Sequence, residues 1–160
     1  MTLGPSGLPI AACAAGVVEA PPEQVFEVLT DIERYAERVP LIHKARVHGD
    51  WAEFSLRLKL AFFGVGFSFA SNVASDPEQR SLALGYRSGE PKDIAIHYDI
   101  VPLASDPERS LMYVQIGFDI QSLGWLVKFF LKHHPEIQYG VFSGCALALL
   151  ESMRSSATAA

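Results

Sequence analysis

The densest run of chemistry-bearing side chains in this 160-residue sequence is "GWLVKFFLKHHPE", Gly124 to Glu136, where three aromatics and two lysines lead into paired histidines, a proline and an acid. Paired histidines beside an acid invite a metal. Neighbours on a helix point about 100° apart, however, and no cysteine or second acid pair stands at ligand spacing. Pro135 fits the first turn of a following helix with His134 near its cap, so no metal is expected.

A second set is hydroxylic. Tyr86 and Tyr98 share parity with the apolar positions of their strands, Tyr139 lies near the start of the last helix, and Ser71 sits between Phe69 and Val73. Each tyrosine is either a core aromatic whose hydroxyl reaches a backbone carbonyl or the rim, or a hydrogen-bond partner for a ligand in an apolar pocket. Arg57, Lys59, His97 and Asp99 have the opposite parity and read as solvated face, while His43 and His48 flank a strand start and carry no signal. Acid–base chemistry needs a titratable group close to the reacting carbonyl. Parity turns none of the obvious candidates inward, which leaves Asp119 and Gln121 near one end of the chain's apolar space and no catalytic residue to assign. A hydrolase triad, a Gly-rich phosphate loop and Rieske-type cysteines are all missing from the sequence.

These side chains must be positioned by a recognisable series of elements. Small and β-branched residues from Ala11 to Ala20 suit a strand packed closely on other backbone. Val25, Phe26 and Leu29 then repeat at helical spacing behind Pro21 and Pro22, and Asp31 is placed to cap a second short helix carrying Ile32, Tyr35 and Val39 up to Pro40. Beyond Pro40 the period becomes two. Phe54, Leu56, Leu58, Leu60 and Phe62 alternate with polar residues, Gly64 and Gly66 supply a turn, and Phe67, Phe69 and Val73 return. Two Ser-Asp-Pro-Glu strings, at 75–78 and 105–108, read as the same turn, with Asp first and Pro second. Between and after them, Leu82, Leu84, Tyr86, then Ile94, Ile96, Tyr98, Ile100, then Met112, Val114, Ile116, Phe118 and Ile120 form three more alternating strands. A long helix from about Glu136 to Arg154 closes the chain, apolar on several sides, with Gly140, Ser143, Gly144 and Ala148 as a strip of small residues that either admits the sheet or leaves space beside the helix. A strongly bent antiparallel sheet wrapped around that helix buries every apolar face through short hairpins.

Composition sets limits on the rest. A chain of this length buries roughly 68–70% of its unfolded surface, and 49% apolar content against 19% charged excludes a disordered chain. The expected organisation is a flexible tail at 1–9, one domain at 10–154 and a flexible tail at 155–160. Net charge of −5 argues against nucleic acid. Cys13 and Cys145, each in an apolar run, read as buried thiols in a reducing compartment, and with no signal peptide or membrane span expected the chain is placed in the cytoplasm.

The string "VVEAPPEQVFEVLTDIERYAERVP" resembles the superfamily of START lipid-transfer domains, birch-pollen-allergen relatives, polyketide cyclases and coenzyme Q-binding proteins, known together as SRPBCC, through Glu19, Ala20, Pro21, Val25, Phe26, Asp31, Tyr35 and Pro40. The "GWLVKFF" end is similar to the START terminal region. The resemblance, over about Ile10 to Met153, implies an α+β helix-grip fold: a curved antiparallel sheet of about seven strands around a long C-terminal helix, with two short helices after the first strand. It further implies that an apolar ligand (lipid, sterol, quinone or polyketide) is bound between sheet and helix, with transport as an extension, polyketide cyclisation in the same cavity as the enzymatic alternative, and a filled interaction module as the third. No cofactor is implied. On that reading the ligand-facing set is Phe54, Leu56, Leu58, Phe67, Phe69, Ser71, Leu84, Tyr86, Ile96, Tyr98, Ile116, Phe118, Tyr139 and Phe142, joined by Trp125, Phe129 and Phe130 from the short helix. Leu123, Leu126, Val127, Phe130 and Leu131 make its core-facing stripe. Trp125 and Phe129 either close the open end of the sheet as core, gate the cavity, or, with Lys128 and Lys132, touch a membrane transiently. A void of ~500 Å³ would cost up to about 12 kcal/mol, rivalling the stability of a domain, so water or ligand should occupy it.

Overall fold

The computed structural model describes residues 1–60 and 63–159, and the side chains of all of these except 58–60, 63–65 and 126. Leu58, Leu60 and Leu126 of the sequence reading therefore lie outside the described side chains, and Phe62 outside the described residues. In chain order the elements are β1 (Thr2–Leu3), β2 (Pro9–Val18), α1 (Pro22–Thr30), a 3-10 turn (Ile32–Arg34), α2 (Tyr35–Arg38), β3 (Ile42–His48), β4 (Trp51–Leu60), β5 (Phe63–Asp76), β6 (Ser81–Gly89), β7 (Lys92–Leu103), β8 (Asp106–Asp119), a second 3-10 turn (Ile120–Ser122), α3 (Gly124–His133) and α4 (Ile137–Thr158). The strands form one curved antiparallel sheet in the order β1-β2-β8-β7-β6-β5-β4-β3.

The strands follow the two-residue period. Phe54, Phe69, Leu84, Ile96, Tyr98, Val114 and Ile116 are all buried on the concave side, and His97 and Gln115 between them are exposed. Both Ser-Asp-Pro-Glu strings turn by one device: Asp76 Oδ1 accepts from the amides of Glu78 and Gln79, and Asp106 Oδ1 accepts from the amide of Glu108. That local bond gives the backbone donors a partner while the chain reverses.

Helix α4 lies against β2 and β8. The small residues of β2 make this approach possible, because a Cβ on Gly16 would stand 3.1 Å from Leu150 Cδ2. Phe142, Ala146, Leu149, Leu150, Met153 and Ala157 supply the buried stripe of the helix. Gln24 of α1 donates from Nε2 to the carbonyl of Ala157 at 2.7 Å, giving a partner to one of the carbonyls that a helix end leaves open.

Among the described residues the sheet, expected to have about seven strands, has eight, because Thr2–Leu3 near the N-terminus forms β1 and pairs with β2 through Thr2 opposite Ala11. Other expectations are corrected. The supposed C-terminal tail is helical to Thr158, with Ala157 fully buried. Asp31 does not cap the second helix; its carboxylate accepts from Arg38 Nη2 at 2.9 Å. Gly140 and Gly144 do not admit the sheet; both are exposed, with open space where a Cβ would stand, so of the two alternatives they leave space beside the helix. Cys13 is exposed and Cys145 half-buried, so neither is the fully buried thiol expected, and burial raises the Cys145 thiol above its usual value.

Candidate functional site

The concave face is built from aromatic pairs outward. Phe54 of β4 stands directly opposite Phe69 of β5, their rings stacked with centroids 5.1 Å apart, and Tyr35 of α2 comes within 6.2 Å of Phe54. At the other side Phe118 of β8 meets Phe142 of α4 at 4.7 Å. Leu82 and Leu84 of β6 and Ile94 and Ile96 of β7 fill the floor between them.

Set in this apolar surface are two hydroxyls. Tyr98 is 0% exposed and Ser71 1%, and among the described residues neither Tyr98 Oη nor Ser71 Oγ has a hydrogen-bond partner. Other buried hydroxyls are satisfied: Tyr35 donates to the Leu29 carbonyl at 2.6 Å and Ser110 to the Ala20 carbonyl at 2.7 Å. An unmet buried hydroxyl costs about 1–3 kcal/mol. Burial alone pushes the Tyr98 phenol far above its ordinary value, so it remains a neutral O–H donor. Burial does the same to Tyr35, with a further upward push from Tyr98. Among the described residues no acidic or basic side chain is buried; the buried polar ones are Ser71, Ser110 and Gln138.

Two clefts open on either side of the segment that joins β8 to α3. One, of about 290 Å³, is lined by Gly66, Phe67, Glu90, Leu123, Gly124, Trp125 and Val127. The other, of about 400 Å³, runs under the N-terminal hairpin between Leu8, Pro9 and Ile10 and the side chains of Phe118, Ile120 and Gln138, with Ser6, Asp93, Asp119 and Gln121 completing its lining.

Of the residues singled out in the sequence, Phe54, Phe67, Phe69, Ser71, Leu84, Ile96, Tyr98, Ile116 and Phe142 are buried. Leu56, Tyr86 and Phe118 pack half-buried against the same cluster. Tyr86 donates to the Gly89 carbonyl at 3.2 Å. Four others are not brought into the interior. Trp125, Phe129, Phe130 and Tyr139 are exposed, and the Tyr139 hydroxyl instead donates to the Gly7 carbonyl, fastening the N-terminal hairpin to α4. Phe130 thus leaves the core-facing stripe, which keeps Leu123, Leu131 and, half-buried, Val127. Asp119 is used locally, its carboxylate accepting from the amide of Gln121 at 2.9 Å. His133 contacts the Phe129 carbonyl through Nδ1 at 2.9 Å, and His134 contacts Glu136 at 3.2 Å. Gln138 escapes the sequence reading: it is buried and lines the larger cleft. Its place four residues before Phe142, on the buried stripe of α4, is the signal that marks it.

The polyketide cyclase / dehydrase and lipid transport family matches residues 18–135, and the chain belongs to that family, within the START-like helix-grip superfamily. No curated protein matches the chain. Its fold is similar to that of the Zhui aromatase/cyclase from Streptomyces sp. R1128, with 19% identity, 92% of each chain covered and a TM-score of 0.68. It is similar also to a START superfamily protein from Mycobacterium smegmatis, with 15% identity, 92% of this chain and 96% of that one covered and a TM-score of 0.69. A Thermus thermophilus protein gives 14% identity, coverage of 93% of this chain and 97% of that one, and a TM-score of 0.72.

Proposed function

We propose that this protein binds an uncharged, largely apolar small molecule between its sheet and α4, oriented by the hydroxyls of Tyr98 and Ser71. The observation that carries this reading is the pair of buried hydroxyls on the concave face that have no partner among the described residues. A ligand carbonyl or hydroxyl reaching either one would relieve a desolvation cost that the protein alone bears. Phe54, Phe67, Phe69, Leu84, Ile96, Ile116 and Phe142 are the apolar wall. Charge selects the ligand class: with no acidic or basic side chain buried among the described residues, an ionised headgroup would enter a low-dielectric site unpaired. Sterols, quinones and neutral polyketides fit that requirement, and free fatty acids do not. The cleft beneath α3, bounded by Phe67 and Leu123, is the entry. Release from the same cleft would make the protein a carrier, and both free cysteines suit a cytoplasmic setting.

The test is a thermal-shift panel of size-matched sterols, quinones, aromatic polyketides and fatty acids. At a ligand concentration a hundred times its Kd, binding adds about 2.7 kcal/mol, or roughly 5–10 °C in a domain of this size. Neutral oxygen-bearing compounds should give that shift, and the Tyr98→Phe, Ser71→Ala double variant should lose it. Failure of every neutral compound, or equal stabilisation by fatty acids, would overturn the reading.

Ring closure of a polyketide in the same space is the second reading, favoured by the family match and by one feature of Tyr98. A neutral phenol in a dry site donates to a carbonyl whose oxygen gains charge as the carbon is attacked. Under that reading Tyr98→Phe abolishes turnover while binding persists; as a carrier, the protein loses affinity alone.

A further inference from the structure

We propose that the outer face of α3 docks onto anionic membrane surfaces. Leu123 and Leu131 are buried and hold this helix to the body, whereas Trp125, Phe129 and Phe130 are 77%, 55% and 43% exposed. Their exposure is not scattered. The Phe129 ring lies 6.0 Å from Phe130 and 4.7 Å from His133, so these rings form one patch, and Trp125 stands one turn before Phe129 on the same helix. Lys128 and Lys132 are exposed beside them, and no acidic residue occurs between Gly124 and His133. The whole chain carries 18 acidic against 13 basic residues, so α3 is a basic, aromatic element on an acidic protein. Each half of that composition restricts the occupant. Tryptophan and phenylalanine favour the boundary between headgroups and acyl chains, and lysines beside them draw the helix to anionic lipid. A second copy offering its own α3 would set lysines against lysines, which disfavours a symmetric dimer through this face. No helix among the described residues is long and apolar enough to cross a membrane. Contact is therefore lateral, with Trp125, which also lines the 290 Å³ cleft, brought to the lipid surface. This inference does not depend on which ligand is bound, or on one being bound.

Trp51 and Trp125 are the two tryptophans, so Trp51→Phe leaves Trp125 as sole reporter. With phosphatidylcholine vesicles containing phosphatidylserine, its emission should shift to the blue, and the natural chain should cosediment with the same vesicles; pure phosphatidylcholine should do neither. Lys128→Glu with Lys132→Glu should lower affinity about tenfold or more, and added salt should weaken it. Trp125→Ala with Phe129→Ala should do the same with an unchanged melting temperature, since both side chains are exposed. No cosedimentation of the natural chain with anionic vesicles would overturn the proposal. So would binding that survives charge reversal, or a dimer in the ultracentrifuge that Trp125→Ala dissolves.

Discussion

Tyr35 and Tyr98 are both buried to within 1%, yet they differ in their hydroxyls: Tyr35 donates to the Leu29 carbonyl, and Tyr98 has no partner among the described residues. The two phenylalanine substitutions should therefore have opposite signs. Tyr35→Phe removes a hydrogen bond and strands a buried carbonyl, at a cost of about 1–3 kcal/mol. Tyr98→Phe removes only an unmet polar group and should leave the ligand-free protein as stable, or more stable by up to about 1–3 kcal/mol. Urea denaturation of the two variants, analysed with a common slope, checks this; a loss in Tyr98→Phe equal to that in Tyr35→Phe would refute it.

The same burial sets an alkaline limit. Both phenols are held above their ordinary value in the folded state, chiefly by desolvation. Unfolding exposes them at the ordinary tyrosine value of about 10. Their contribution is fully present below that pH and is lost as pH climbs from there through the folded values, because the unfolded chain then releases protons the folded one retains. Stability should fall above about pH 10, and Tyr98→Phe should make that fall shallower. Melting temperatures recorded across this range decide the matter, an unaltered alkaline slope being the adverse result.

Glycines on two elements predict opposite outcomes. Gly140 and Gly144 stand in the exposed interior of α4 with open space where a Cβ would go, so alanine at each should stabilise by about 0.5–1 kcal/mol. Gly16→Val, in contrast, drives side-chain atoms into Leu150 and should destabilise by about 1–3 kcal/mol. Thermal melts of the three single variants test the pattern, which fails if Gly16→Val proves neutral.

Local chemistry explains which parts of this architecture can be seen in the sequence. The alternation of Phe67, Phe69 and Ser71, and of Ile94, Ile96 and Tyr98, reports the concave face because a strand sends alternate side chains to opposite sides. Asp76 and Asp106 report their turns because the bond is made within three residues. The N-terminal hairpin is different. β1 has two residues and exists through pairing with β2 and through the Tyr139 bond to Gly7, a contact across 132 positions. Parity also treats Tyr86 and Tyr98 alike. They diverge in depth: Tyr86 lies beside a register shift near the end of β6 and bonds Gly89, while Tyr98 sits on β7 between Leu82 and Val114. On α3 the apolar stripe is wider than the surface that the body covers, so periodicity alone assigns Phe130 inward.

The central claim concerns Tyr98 as the anchor of an uncharged ligand, and native mass spectrometry tests it most directly. The natural chain and Tyr98→Phe would be mixed with the same pool of sterols, quinones and aromatic polyketides and desalted together. The expected result is a one-to-one adduct of a neutral, oxygen-bearing molecule on the natural chain, reduced about tenfold in the variant, as loss of roughly 1.4 kcal/mol requires. An adduct retained equally by both proteins, or none on the natural chain, would contradict it.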